Sequence, residues 1–135
     1  LNVTKDGGGV EPEAIRVVDA DDRCPELRIV QGGGVARAVI WPGMGAAARS
    51  MHRITLRRGA RTTSLRHPME AVYYVISGMA LVEDPTDGAP VRLRPGSMVF
   101  VEPGTPYVFA APDDRVEIVG GPCPPDQSLY GGLNK

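Results

Sequence analysis

The sequence is short of the residues that most often carry chemistry. It has two histidines and two cysteines in 135 residues. Cys24 and Cys123 lie far apart and make no disulfide framework, so two free thiols of a reducing compartment are expected. Lysine is nearly missing: only Lys5 and Lys135 accompany 13 arginines. Any anion recognition inside the fold would therefore fall to arginine, a planar donor that does not titrate. The formal net charge of −1 gives no electrostatic case for nucleic acid or an anionic membrane as partner. No apolar run approaches the ~18 residues of a membrane-spanning helix. No basic start leads into an apolar stretch, so no signal peptide is expected and a cytoplasmic location is. Nothing resembles a nucleophile elbow, a phosphate loop or a dinucleotide fingerprint. Helix signals are scarce, and there is no internal repeat or charge block.

Turn formers, by contrast, are plentiful. Seventeen glycines and thirteen prolines separate short strand-like runs. Residues 1–13 are polar, include Gly7-Gly8-Gly9, and read as a loose arm. Strand character then appears at 15–18, 27–30 and 35–41, with Gly32-Gly33-Gly34 as a turn. Residues 50–57 alternate: Ser50, His52, Ile54 and Leu56 share one face, and Met51, Arg53, Thr55 and Arg57 the other. That period of two marks a half-buried strand. Further runs lie at 62–67, 72–76, 79–83, 91–94, 98–101, 107–110 and 116–119, with Ser77-Gly78 as a hairpin signal. Some ten short strands at regular spacing indicate one all-β barrel or sandwich domain, here 14–120, with 121–135 as an extended surface tail.

Two stretches carry a resemblance. The first is Gly59, five residues, Leu65-Arg-His67, then Glu70-Ala71 and Gly78. The second is Gly96, then Glu102-Pro103-Gly104 and Tyr107. Their glycine spacing is similar to the two motifs of the cupin superfamily, of the small single-domain bacterial kind. The resemblance covers about 35–120 and implies a double-stranded β-helix, or jelly-roll, barrel. The family's four metal-ligand positions fall on Leu65, His67, Ala71 and Tyr107, so one good ligand of four is kept. Leu65 and Ala71 offer no donor atom, and a neutral Tyr is a poor ligand unless its pKa falls well below ~10. No metal or other cofactor is therefore expected. The alternative is Fe, Mn, Ni or Zn in a rebuilt site of His67, His52 and Glu70, for which Glu70 would need a bulge to turn inward.

Three function classes follow. The first is a metal-independent isomerase, cyclase or lyase of bacterial secondary metabolism, which the resemblance permits. There His67 would act as acid/base, with Tyr107 and Arg61 stabilising negative charge. Arg61, Thr63, Leu65 and His67 alternate onto one face, which would place Arg61 in the barrel with His67. The second is a ligand-binding protein without turnover. The third is a metal-dependent oxygenase or decarboxylase on the rebuilt site. The expected partner is a small organic molecule, lined by His52, Thr63, Leu65, Glu70, Ala71, Tyr73 and Glu102. Residues 85–90 and 120–130 are placed to cover a barrel mouth. The resemblance also implies a homodimer, for which the apolar stretch 27–41 is the candidate surface.

Overall fold

The protein is described here by a computed structural model covering residues 14–133. The arm expected over 1–13 lies outside the described residues.

The chain folds as expected for the all-β class, in eleven strands: β1 Glu26–Leu27, β2 Val30–Gln31, β3 Gly34–Ile40, β4 Met51–Leu56, β5 Arg61–Thr62, β6 Ala71–Ser77, β7 Ala80–Glu83, β8 Val91–Leu93, β9 Met98–Val101, β10 Val108–Ala110 and β11 Val116–Pro122. Single 3-10 turns occupy Pro42–Met44 and Gln127–Tyr130. The strands pair antiparallel into two sheets, ordered β1-β3-β4-β11-β6-β9 and β2-β5-β10-β7-β8. This is the layered arrangement of a jelly roll, in which two inward faces share one core. No helix among the described residues is long and apolar enough to cross a membrane.

Alternation in the sequence becomes burial in the fold. On β4, His52, Ile54 and Leu56 point into the core, as expected, while Met51 is exposed. On β6, Ala71, Tyr73 and Val75 point inward and Val72, Tyr74 and Ile76 outward. Phe109 of β10 faces them from the other sheet, its ring edge-on to Tyr73 at 4.8 Å and to Tyr107 at 5.8 Å. The turn at Gly78 requires glycine. Its φ is +84°, and a Cβ there would lie 2.1 Å from the Arg115 carbonyl oxygen.

Three expectations are corrected. Residues 15–18 form no strand, since no neighbouring strand satisfies their backbone and Ile15 and Val17 stay exposed. Of the segment expected as a surface tail over 121–135, the described residues 121–133 are not one: β11 runs to Pro122 because it pairs with β6 as far as Ala71, and Asp126 and Tyr130 beyond it are buried. The 27–41 stretch offers little apolar surface outward, because Leu27, Ala36, Ala38 and Trp41 belong to the chain's own core.

Phe109 joins the two sheets and is fully buried. Phe109→Ala should lower unfolding free energy by about 3–5 kcal/mol, read from urea denaturation, because the cavity between the two tyrosines cannot collapse. A loss under about 1 kcal/mol would show that the sheets do not depend on this contact.

Candidate functional site

The interior polar site is built from one strand position, Tyr73, two bridge positions, Leu65 and Tyr107, and two positions outside the strands, His67 and Asp126. Leu65 and Tyr107 form a two-way backbone bridge, with Leu65 N to Tyr107 O at 2.9 Å and the reverse bond at 2.8 Å. That bridge brings the two motif segments together, and it sets His67 and Tyr107 side by side. His67 is fixed further where its carbonyl accepts from Gly104 N at 2.7 Å. Tyr73 enters from β6 on the opposite sheet.

A continuous chain of hydrogen bonds results. His67 Nδ1 lies 2.7 Å from Asp126 Oδ2, and Nε2 lies 2.7 Å from Tyr107 Oη. Tyr107 Oη is 2.5 Å from Tyr73 Oη. All four residues are buried. Burial works to raise the Asp126 carboxyl, but hydrogen bonds from His67 and Ser128 prevail and hold it below the usual carboxylate range. Asp126 is thus ionised at neutral pH and only accepts, so Nδ1 of His67 carries a proton. With a neutral ring, Nε2 then accepts from Tyr107, and Tyr107 accepts from Tyr73. Burial pushes both phenols up, well beyond their ordinary range, which keeps them as neutral donors.

The second histidine makes a separate contact. His52 Nε2 is 2.7 Å from Tyr130 Oη, and the Tyr130 ring rests against Trp41 with centroids 5.1 Å apart. Burial, with the His67 charge adding to it, lowers His52 to about 4. Burial likewise raises Tyr130 to about 12. The C-terminal segment thus supplies one partner to each of the chain's two histidines. Asp126 is held in turn as the cap of the Gln127–Tyr130 turn, accepting from Ser128 N at 3.0 Å.

The structure brings together His67, Tyr107 and Tyr73, with Leu65 and Ala71 as apolar wall and His52 nearby. It leaves out the other expected site residues. Arg61 is exposed because the buried Ala60 and Thr62 take the inward phase after the Gly59 turn. The chain leaves the sheet at 63–64, and the phase resets by one residue before Leu65, so the expected shared face is broken. Thr63 is half-buried and binds through its backbone, N to Ile29 O at 2.8 Å. Glu70 is exposed; no bulge turns it inward, and its carbonyl accepts from Cys123 N. Glu102 is exposed at the rim of a groove of about 330 Å³, shared with Glu83, Asp84 and Thr105, with Tyr107 in its wall.

Asp126, Tyr130 and Trp41 were not among the expected site residues. The legible signal was Asp126 two residues before Ser128 and ahead of Leu129-Tyr130, a cap leading into an apolar turn.

The rebuilt metal site does not fit these residues. Both His67 nitrogens and Nε2 of His52 are engaged by Asp126, Tyr107 and Tyr130, and Glu70 faces away. Among the described residues no three His, Cys, Asp or Glu side chains are grouped to hold an ion.

Comparison with known families matches the Cupin domain family over residues 52–119, the span that contains both motif segments and the Leu65–Tyr107 bridge. The chain belongs to the cupin family. No curated protein matches it. Among solved structures, this cupin is similar to the polyketide cyclase RemF of Streptomyces resistomycificus, with a TM-score of 0.66 and 20% identity over 82% of each chain. It is similar to an RmlC-like cupin of Methanocaldococcus jannaschii, with a TM-score of 0.65 and 15% identity over 88% of this chain and 99% of that one. It also resembles a protein described as a predicted oxalate decarboxylase from Thermotoga maritima, with a TM-score of 0.63 and 19% identity over 78% and 96%. At these identities the likeness is one of fold.

The depressed His52 gives a pH dependence. Unfolded, it titrates near ~6.5; folded, near about 4. Between those values only the unfolded chain takes up the proton, so stability is full above ~6.5 and falls as pH drops towards 4. The loss should be about 3 kcal/mol in urea unfolding at pH 7 against pH 4. His52→Gln should flatten this slope; an unchanged slope would place the titration elsewhere.

Proposed function

We propose that this cupin binds a small organic molecule and catalyses proton transfer on it without a metal, as an isomerase, cyclase or lyase. The observation that carries this reading is the buried chain Asp126–His67–Tyr107–Tyr73. It has the parts such a reaction needs. Ionised Asp126 fixes the tautomer of His67 and stabilises the imidazolium form. His67 Nε2, once released from Tyr107, takes a proton from carbon next to a carbonyl and returns it at another atom. The two neutral phenols donate to the oxygen on which negative charge develops. Tyr73 thus takes the role that exposed Arg61 is too far outside to fill. Leu65 and Ala71 keep the surroundings apolar, which strengthens those donors relative to water. Three structures of similar fold, a polyketide cyclase, a predicted oxalate decarboxylase and a DMSP lyase, agree with small-molecule chemistry on this fold without selecting among reactions.

A second reading has an observation of its own. Among the described residues, no fully buried side-chain nitrogen or oxygen lacks a partner. A closed, fully satisfied network also suits a protein that binds a ligand and turns nothing over.

The two readings separate in heavy water. The wild type, given a panel of aryl ketones and hydroxy ketones, should exchange the hydrogen beside the carbonyl for deuterium, followed by NMR. His67→Ala should lose about 10²–10⁴-fold of that exchange. Tyr107→Phe and Asp126→Asn should each lose at least about tenfold. Ligand binding with no exchange, or equal exchange in all three variants, would give the non-catalytic reading the place of the first.

The homodimer is proposed on a different surface from the one first expected. Val72 pairs across strands with Phe100, and Tyr74 with Met98, and all four are exposed on the outer face of β6 and β9. A contiguous apolar patch of this kind marks an interaction surface. Light scattering at micromolar concentration should read twice the 14.4 kDa chain mass. Tyr74→Glu with Phe100→Glu should halve it, and a monomeric wild type would remove the assignment.

A further inference from the structure

The Tyr130 side chain occupies a place that the rest of the barrel has already formed. Its phenol meets His52, which is held on β4, and its ring meets Trp41, which sits between β3 and the Pro42–Met44 turn. Each wall also has supports of its own. Gly43 folds back so closely over the indole that a Cβ there would lie 2.2 Å from it, so the Trp41 ring is clamped by its own turn. Gly121 of β11 leaves the space that Ser50 and His52 fill, since a Cβ there would lie 2.5 Å from Ser50 Oγ and 3.1 Å from His52 Nδ1. By contrast, Tyr130 belongs to a single 3-10 turn in which it is the one buried residue. Gln127, Ser128, Gly131 and Gly132 are exposed, and Leu129 and Leu133 pack only half-buried against the core. A segment with so little burial opens locally before the strands do.

We infer that Tyr130 is an internal stand-in for the ligand, and that its place receives the hydroxylated aromatic ring of a phenolic compound when the Gln127–Tyr130 turn swings out. The chemistry of the place selects this class. It offers an aromatic face for a ring. Beside that face it offers one histidine nitrogen, which already engages a phenol oxygen at 2.7 Å. An apolar ring without the hydroxyl would leave that buried nitrogen unpaired, which the site penalises. Asp126, at the start of the turn, stays on His67 as the pivot, so the acid/base chain survives the opening. This inference rests on the barrel interior being the ligand site. It requires no turnover, so it stands or falls apart from the proton-transfer reading.

The test reads binding alone. Trp41 is the only tryptophan, so its fluorescence reports whether Tyr130 is in place. The probes are 4-fluorophenol and fluorobenzene, followed by fluorine NMR. Wild-type protein should bind 4-fluorophenol at least about tenfold more tightly than fluorobenzene. Binding should change Trp41 fluorescence and speed amide exchange over residues 127–133, with β4 unaffected. Tyr130→Ala should bind 4-fluorophenol at least about tenfold more tightly than wild type, because the internal competitor no longer holds the place. Tyr130→Phe, which keeps the ring and so the packing, should bind several-fold more tightly than wild type and serves if the Ala variant does not fold. His52→Leu should abolish the preference for the phenol over fluorobenzene. Equal affinities of the two probes in wild type would overturn the inference. So would 4-fluorophenol binding that leaves the 127–133 amides unchanged, or binding no tighter in both Tyr130 variants.

Discussion

His67 lies between two sheets with both ring nitrogens engaged, and its two partners arrive from different parts of the chain. Tyr107 is brought by the backbone bridge to Leu65, and Asp126 by the turn that follows β11. A buried imidazole with an unpaired nitrogen would cost about 1–3 kcal/mol, so the position is tolerable only if both arrive. The interior therefore couples the two motif segments to the C-terminal residues. The loop that caps the barrel is as much a part of the site as the strands are.

Leu65 and Ala71 follow the same logic. They bring no donor atom into the interior, and the space between the sheets is filled with aromatic rings. Tyr73, Tyr107 and Phe109 pack within 4.8–5.8 Å of one another, centroid to centroid. In those surroundings a charged group survives only if it is paired. Asp126 meets this condition by accepting from His67 and from Ser128, at the edge of the core where the capped turn begins. His52 meets it in the opposite way, by staying neutral down to about pH 4.

Much of the fold was legible because it rests on short-range pattern. The alternation of 50–57 gave β4 and its inward face, Ser77-Gly78 marked the β6–β7 turn, and 98–101 matched β9 to the residue. The glycine spacing of the two motif segments placed His67 and Tyr107 together. What failed was the phase across an interruption. Arg61 and His67 lie six positions apart, and an unbroken strand would put them on one face. Two residues outside the sheet shifted that phase, and composition gives no sign of such a break. The same limit hid Asp126 and Tyr130. The cap at Asp126 marks a turn, but nothing local says that this proline-containing stretch folds inward, because its burial is decided by His67 and His52, which lie far away in sequence.

The division of labour between strands and terminus bears on specificity. On the proposed reading, the barrel contributes the groups that a ligand would meet: a histidine acid/base, two phenol donors and an aromatic wall. Their positions are fixed by cross-strand pairing and tolerate little change. On the same reading, the C-terminal turn selects which ligand enters; it is held by the buried Tyr130 ring, the Asp126 cap and the partly buried Leu129. Changes there alter access to the site without disturbing a sheet hydrogen bond. The carboxylate and the ring do different work. Loss of Asp126 strips the partner from His67 Nδ1, whereas loss of Tyr130 vacates space beside His52 and frees its Nε2. On the proposed reading the turn thus separates the chemistry of the site from its selectivity within five residues of chain, from Asp126 to Tyr130.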